Sequence, residues 1–351
     1  MTDKKITVIV VDDSALIRAL LTEVLNSDDR IEVVATATDP FEARDLIKRH
    51  NPDVLTLDIE MPRMNGIAFL KNLMRLRPMP VVMISTLTQE GAPATLEALE
   101  LGAVDFIAKP KNDGPDGIKY YAKEIVSKVL TAAKANIRHL SESAGFEHVK
   151  PSHIKDIGSK GKAGFICAIG ASTGGTEAIK HVVTALPADC PPIVVTQHIP
   201  ATFSASFANR VDQVAAAKVY EAVHDQKIER GCVYIAPGHS HMRIKKVGAE
   251  YVCTLDQGPM VNRHRPSVEV LFDSVIEAAG TRAIGIMLTG MGADGAQAML
   301  RMREAGIYTL AQDEATSVVW GMPGAAVKLG AVEKALSLNE IAAEILRKFQ
   351  E

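Results

Sequence analysis

From Ile6 onward the chain alternates short apolar runs, rich in β-branched residues, with stretches whose apolar positions recur at helical spacing. ITVIVV (6–11), EVVATA (32–37), VLTLDI (54–59), PVVMIS (80–85) and VDFIAK (104–109) have the character of strands. SALIRALLTEVLNS, PFEARDLIKRH, GIAFLKNLMRL, APATLEALELG and IKYYAKEIVSKVLTAAKANI have the character of helices. Five such βα units predict an open, flavodoxin-like parallel sheet with helices on both faces. The pattern then breaks. RHLSESAGFEHVKPSHIKDIGSKGKAG (138–164) is polar and rich in Ser, Lys and Gly, with no sustained period, and reads as a flexible linker.

Alternation resumes at FICAIG (165–170). PIVVTQH, VYIAP, AIGIMLTG and IYTLAQ read as buried strands, and GGTEAIKHVVTAL and GADGAQAMLRMREAG as helices. HMRIKKVGAEYVCTLD alternates across a Val-Gly-Ala turn, which predicts an antiparallel hairpin. SLNEIAAEILRKF closes the chain as a helix, with Ser337 and Glu340 at capping-box spacing. The second half is therefore a doubly wound, Rossmann-like α/β unit carrying a hairpin. The expected domains are 1–137, a linker over 138–163, and 164–351.

Composition narrows the classes. With 351 residues, two cores are expected, and 47% hydrophobic against 23% charged residues describes a soluble globular protein. A net charge of −3 lacks the positive excess that a nucleic-acid backbone requires. Cys167, Cys190, Cys232 and Cys253 form no CxxC pair and read as buried thiols in a reducing compartment. The N-terminus enters a strand without a signal-peptide core, and no apolar run is long enough to span a bilayer. A cytoplasmic location without membrane insertion is expected.

Parallel sheets place their sites beyond the carboxyl ends of the strands. In the first half those ends carry Asp12 and Asp13, Asp58, Ser85 and Thr86, and Lys109. Three carboxylates at one edge repel unless a cation joins them, and hard oxygen ligands suit Mg²⁺. A nearby lysine and hydroxyl suit an incoming phosphoryl group. VVDDS, LTLDIEMPRMNG, VVMIS and FIAKP resemble the receiver domain of two-component response regulators, over roughly residues 4 to 125. The resemblance implies that Asp58 accepts the phosphoryl group and that Asp13, with Asp12 through water, holds Mg²⁺. It implies that Ser85 is the switching hydroxyl, with Thr86 as its weaker alternative. Lys109 then pairs with the phosphoryl charge, Phe106 is the aromatic switch, and Lys109–Pro110 is a cis peptide.

In the second half Ser172 lies in GASTG, a G-x-S-x-G pattern between strand and helix, where a nucleophile elbow forms. The same turn could bind an anion or cap the helix. His198 falls just past the next strand and Asp294 in the glycine-rich turn before another helix. Singly, these are a loop histidine and a helix N-cap. Together with the serine they supply what acyl transfer needs: a hydroxyl, an imidazole to take its proton, and an acid to orient the imidazole.

IGASTGGTEAI, VVTQHIP, VYIAPGHSHM, GPMVNRHRPSVEVLF, LTGMGADGAQAM and AQDEATSVVWGMPGAAV resemble the catalytic domain of the chemotaxis receptor methylesterases. That family hydrolyses γ-glutamyl methyl esters on cytoplasmic helices of chemoreceptors, and many members also deamidate glutamines there. The resemblance implies Ser172 as nucleophile, His198 as base and acid, and Asp294 as its orienter, with no cofactor for the ester chemistry. It makes the backbone N–H groups of Met291 and Thr173 the oxyanion candidates. One departure is His239, followed by His241, in the APG turn, where an acidic residue is expected; two loop histidines alone do not make a metal site. Asn262, Arg263, His264 and Arg265 form a basic, polar stretch that either is a solvated loop or lines the rim of the site.

The expected protein is a monomeric esterase gated by phosphorylation. A chemotaxis histidine kinase supplies phosphate, chemoreceptors are the substrate, and the unphosphorylated receiver occludes the site. Three rivals make other forecasts. A phospho-switched binding protein would need no chemistry, and a transcription regulator would need a helix-turn-helix, which the pattern lacks. A nucleotide-binding fold would use GASTGG, which lacks the lysine of a phosphate loop.

Overall fold

The computed structural model describes residues 4–85, 88, 91–109, 114–137 and 161–351, with only the backbone of 114–120. Thr86, Pro110 and residues 138–160 of the expected linker lie outside the described residues. The chain divides into two compact units, Met1–Phe146 and Glu147–Glu351. Among the described residues no helix is long and apolar enough to cross a membrane.

The first unit alternates β1 (Ile6–Val11), α1 (Ala15–Asn26), β2 (Ile31–Ala37), α2 (Pro40–His50), β3 (Val54–Asp58), α3 (Gly66–Leu76), β4 (Val81–Ser85), α4 (Ala92–Glu100), β5 (Asp105–Ala108) and α5 (Gly114–Ala132). Helix starts follow local chemistry: Ser14, Asp39 and Asn65 each accept a hydrogen bond from the first turn of the helix that follows. The strands order β2-β1-β3-β4-β5, all parallel. Strands β1, β3 and β4 are almost wholly buried, as their unbroken apolar runs require. Because Val11 pairs with Leu57, the next residues on the two strands, Asp12 and Asp58, come level at the sheet edge.

The second unit is built on a seven-stranded sheet. Its strands are β6 (Ile166–Ala171), β7 (Ile193–Gln197), β8 (Lys218–Glu221), β10 (Cys232–Ile235), β13 (Ala283–Met287), β14 (Tyr308–Gln312) and β15 (Lys334–Leu336). They order β15-β14-β13-β6-β7-β10-β8, with every pair parallel. The helices are α6 (Gly175–Thr184), α7 (Ala201–Asp212), α8 (Val268–Ala279), α9 (Ala296–Glu304), α10 (Met322–Lys328) and α11 (Leu338–Gln350). The sheet winds outward in both directions from β6, so the crevice beyond the ends of β6, β7 and β13 is its topological switch point.

The hairpin forms as the alternation predicts: β11 (His241–Val247) pairs antiparallel with β12 (Glu250–Asp256) around Gly248 at φ +62°. Strand β9 (Gln226–Ile228) extends it to three strands. Helix α8 lies against this hairpin, and the Ile244 N–H donates to Ser274 Oγ at 2.9 Å. At the C-terminus Glu340 accepts from the Ser337 N–H, the capping box read from the sequence. Two readings need adjusting. Strand β6 starts one residue later than expected, and of the two readings of His241 the loop gives way to the first residue of the hairpin, where it is buried.

Candidate active site and acidic cleft

In the first unit Asp12, Asp13 and Asp58 offer ligand oxygens within 4.8 Å of one another. Asp12 and Asp58 are buried and Asp13 is exposed, so the cluster is closed below and open above. Lys109 Nζ lies 2.8 Å from Asp58 and 3.2 Å from Asp12. Burial pushes the Asp58 carboxyl up to about 6; the Lys109 contact opposes this and the Asp12 charge adds to it. Lys109 is raised despite its own burial, because both carboxylates favour its charged form. Two buried acids and one exposed acid sharing a single lysine carry spare negative charge, and their hard oxygens fit Mg²⁺. A Cβ on Gly66 would stand 2.0 Å from the Asp58 carbonyl oxygen, so only glycine lets α3 approach β3 this closely.

Of the sequence-predicted switch residues besides Lys109, Ser85 and Phe106 are described. Ser85 Oγ shares a 2.9 Å hydrogen bond with Thr95 Oγ1 of α4. Phe106 is buried; Lys128 donates to its carbonyl at 2.6 Å and lies 5.1 Å from its ring centroid.

In the second unit the three singled-out residues meet at the switch point. Ala171 pairs with Gln197 and Gly170 with Met287, so Ser172 and His198 are neighbours one residue beyond their strands. The Ser172 N–H donates to Thr289 O at 3.0 Å and the His198 N–H to Ala171 O at 3.1 Å, which ties the three strand ends together. Gln197 spans two of them, with Nε2 donating to the carbonyls of Ser172 and His198. The chain turns into α6 through Gly174 at φ +75°, and the Gly175 N–H closes on Ser172 O at 2.7 Å. Gly174, not Ser172, is the N-cap, so the capping role open in the sequence does not apply.

Asp294 lies 2.8 Å from His198 Nε2. Its other contacts show that it does not cap the helix after it, for which Gly295 holds the N-cap position. The carboxylate instead reaches the start of α8, accepting from the Val268 N–H and Ser267 Oγ, both at 2.7 Å. Asn262 Nδ2 donates a fourth hydrogen bond, at 2.8 Å. Burial acts to raise this carboxyl, but the donors, His198 foremost, win and hold it at about 2. A permanent anion, aimed at a helix N-terminus and at an imidazole, results. With Nε2 so engaged, the lone pair left to the neutral ring is on Nδ1, which is buried and has no hydrogen-bond partner among the described residues.

Residues 259–267 form the wall of the site. Val261 and His264 exchange backbone hydrogen bonds at 3.1 and 2.9 Å around Asn262 and Arg263, both in left-handed conformation at φ +52° and +67°. This is a two-residue turn with Asn262 leaning on Asp294. The His264 ring stacks face to face on His198, with centroids 3.7 Å apart and planes 8° from parallel. Arg265 is tied to the carbonyls of Gln257 and Gly258. His241 is bound by the same wall: Nε2 is 3.0 Å from Pro259 O and Nδ1 accepts from the Ser267 N–H. Nothing in the structure explains the histidine at 239.

The floor is the loop after β13. Gly290 packs so near Ser172 that a Cβ there would lie 2.8 Å from the serine's own. Gly290 also bridges Trp320, whose indole N–H donates to Gln312 O, while Gln312 Oε1 accepts from the Thr289 N–H. The oxyanion candidates Thr173 and Met291 follow Ser172 and Gly290 directly in the chain.

The sequence points to the three strand-end residues and offers Asn262–Arg265 as the rim of the site, which the contacts of Asn262 and His264 favour over a solvated loop, but it pairs neither with Asp294 or His198 and does not single out Ser267. The signal was there in part: Asn at the first position of a tight turn favours left-handed backbone, and Ser before an apolar run favours an N-cap.

Comparison with known proteins agrees with both units. The family model described as CheB methylesterase matches residues 167–345, and that of the response regulator receiver domain matches 8–115. The chain is 62% identical over 349 residues to a protein-glutamate methylesterase/protein-glutamine glutaminase of Saccharophagus degradans, covering 98% of this chain and 99% of the relative. A relative of the same name from Hahella chejuensis is 55% identical over 350 residues, covering 98% and 96%. The crystal structure of the catalytic domain of the Thermotoga maritima CheB methylesterase is 33% identical. It covers 53% of this chain and 99% of its own, with a TM-score of 0.52.

Proposed function

The chain belongs to the CheB methylesterase family, and on that premise we propose a phosphorylation-activated hydrolase acting on methylated glutamates of chemoreceptors. The observation that carries the chemistry is the 2.8 Å contact of Asp294 with His198 Nε2, beside Ser172. In this reading Nδ1 of His198 takes the Ser172 proton as Oγ attacks the γ-carbonyl carbon of the ester. The tetrahedral oxyanion is met by the N–H groups of Met291 and Thr173, donors of a kind that each contribute about 3 kcal/mol. His198 then gives its proton to the departing methoxide, and methanol leaves an acyl-serine. Water, deprotonated by the same nitrogen, releases the glutamate carboxylate and restores the hydroxyl. A glutamine amide would follow the same route with ammonia as the leaving group. Throughout, Asp294 remains ionised and stabilises the imidazolium.

The receiver is the control element. Asp58 accepts the phosphoryl group, Asp12, Asp13 and Asp58 would hold Mg²⁺, and Lys109 would pair with the new charge. The ion's contribution when bound is to neutralise the acidic cleft toward an incoming phosphate. Ser85 and Phe106 report the modification to the surface, with the hydroxyl exchanging Thr95 for the phosphoryl group. The unphosphorylated receiver covers the Ser172 crevice, and a bias of a few kcal/mol in that contact is enough to gate it. The protein acts as a cytoplasmic monomer, with a chemotaxis histidine kinase as phosphodonor.

Methanol release from methylated receptor membranes, with and without acetyl phosphate, tests the reading. Release should rise with the phosphodonor and vanish in Ser172→Ala while receptor binding persists. Binding without any release would leave only a docking protein. Deleting residues 1–145 should raise basal hydrolysis; an unchanged or lower rate would overturn occlusion.

A further inference from the structure

We propose that His264 is a positioning residue whose stacked ring fixes the plane of His198, and with it the direction of Nδ1 relative to Ser172. The inference rests on the reading of Ser172 and His198 as nucleophile and base. The last torsion of a histidine side chain is broad, so the ring needs an external restraint to hold one plane. Asp294 supplies only part of it. Nε2 lies nearer the Cβ–Cγ rotation axis than Nδ1 does, so a bond at Nε2 anchors the ring tip while resisting rotation weakly. The nitrogen that must meet Ser172 is the one that sweeps furthest as the ring turns.

His264 provides the missing restraint. Its ring lies 3.7 Å from that of His198 and within 8° of parallel, so any rotation of His198 is resisted by contact over a whole face. The turn that carries it is held independently of the His264 side chain, by the two backbone bonds between Val261 and His264. It is also held by Asn262, which binds the same carboxylate as His198. One turn thus touches the acid through one residue and the base through the next but one. A flat, uncharged ring suffices for this role, and no proton need pass through His264.

The test compares His264→Ala with His264→Phe in the full-length, acetyl-phosphate-activated protein. The readouts are methanol release and the rate at which a fluorophosphonate labels Ser172. The alanine variant should lose about 10-fold, and at most about 100-fold, in kcat, with KM within about 2-fold of wild type. Labelling of Ser172 should slow in step. The phenylalanine variant should recover both rates to within about 3-fold of wild type. Equal losses in both variants, with thermal unfolding unchanged, would show that the imidazole itself is needed and overturn the inference, as would an alanine variant of wild-type rate. If alanine also lowers the unfolding temperature, phenylalanine decides: a stable variant that stays slow overturns the proposal. Failure of the underlying reading is separate, since wild-type protein would then take no label at Ser172.

Discussion

Replacing Asp294 by Asn tests whether the carboxylate works by its charge or by selecting a tautomer. The four donors around it are split between its oxygens: Asn262 Nδ2 and Ser267 Oγ at Oδ1, His198 Nε2 and the Val268 N–H at Oδ2. An amide offers one oxygen and one NH₂. The Val268 N–H is part of a helix and cannot become an acceptor, whereas Ser267 can rotate its hydroxyl and Asn262 can flip its amide. The oxygen of the new Asn is therefore forced to the Oδ2 position, where it still accepts from Nε2–H. The useful tautomer survives, and what disappears is the attraction between carboxylate and imidazolium. Two unit charges about 4 Å apart at an effective dielectric of 20 interact by about 4 kcal/mol. The amide dipole recovers part of this, so the barrier should rise by about 2–4 kcal/mol, a loss of ~30- to 1,000-fold in kcat. The assay is methanol release at saturating methylated receptor, with ¹⁵N-histidine NMR to locate the ring proton. A loss of ~10⁴-fold with the proton on Nδ1 would refute the orientation argument. A loss below about 3-fold would refute the role of the charge.

The remaining expectations concern pH, the receiver and the floor of the site. The Asp294 carboxyl is held at about 2 against an ordinary 3.8, so its contribution to stability is present above pH 4 and is lost as pH falls toward 2. That contribution is roughly 2 kcal/mol, and urea unfolding of the hydrolase half between pH 4 and 2 should show it in wild type and not in Asp294→Asn. Asp58→Asn should abolish the response to acetyl phosphate and leave basal methanol release within about 2-fold, since the acceptor carboxylate is gone and the Ser172 crevice is untouched. Gly290→Ala would drive a methyl group to 2.8 Å from Ser172 Cβ and 2.5 Å from Met322 Sδ. It should cost about 1–3 kcal/mol in thermal or urea unfolding and at least about 10-fold in kcat. Wild-type turnover in that variant would contradict the packing described.

Much of the site was legible because its chemistry sits where strands end, and strand ends follow from hydrophobic pattern alone. Asp12, Asp58, Lys109, Ser172 and His198 were all placed in this way. Helix α8 was not legible as a helix. Its opening VEVLF alternates like a strand, and Val268, Val270, Leu271, Phe272 and Val275 are all buried, which blurs the polar stripe that marks a surface helix. Short β8 and β9, with four and three residues, carry too little pattern to register and exist through their sheet partners. The stack of His264 on His198 joins residues 66 positions apart through a turn whose docking only the tertiary structure determines. His241 carries two sequence readings, a loop position after the Pro-Gly turn and the first residue of the hairpin; it is the latter, and what the pattern does not show is that both of its ring nitrogens are committed to the wall at Pro259 and Ser267.

The chain contains a single tryptophan, Trp320, and it is the residue that bridges Gly290. Excitation near 295 nm, which only an indole absorbs well, therefore illuminates the hydrolase half and leaves the receiver dark. Its emission should shift when the Gly290 loop moves, as on acylation of Ser172. Phosphorylation confined to the Asp58 cleft should be silent. The protein thus carries its own optical reporter, one that reads the hydrolase half alone.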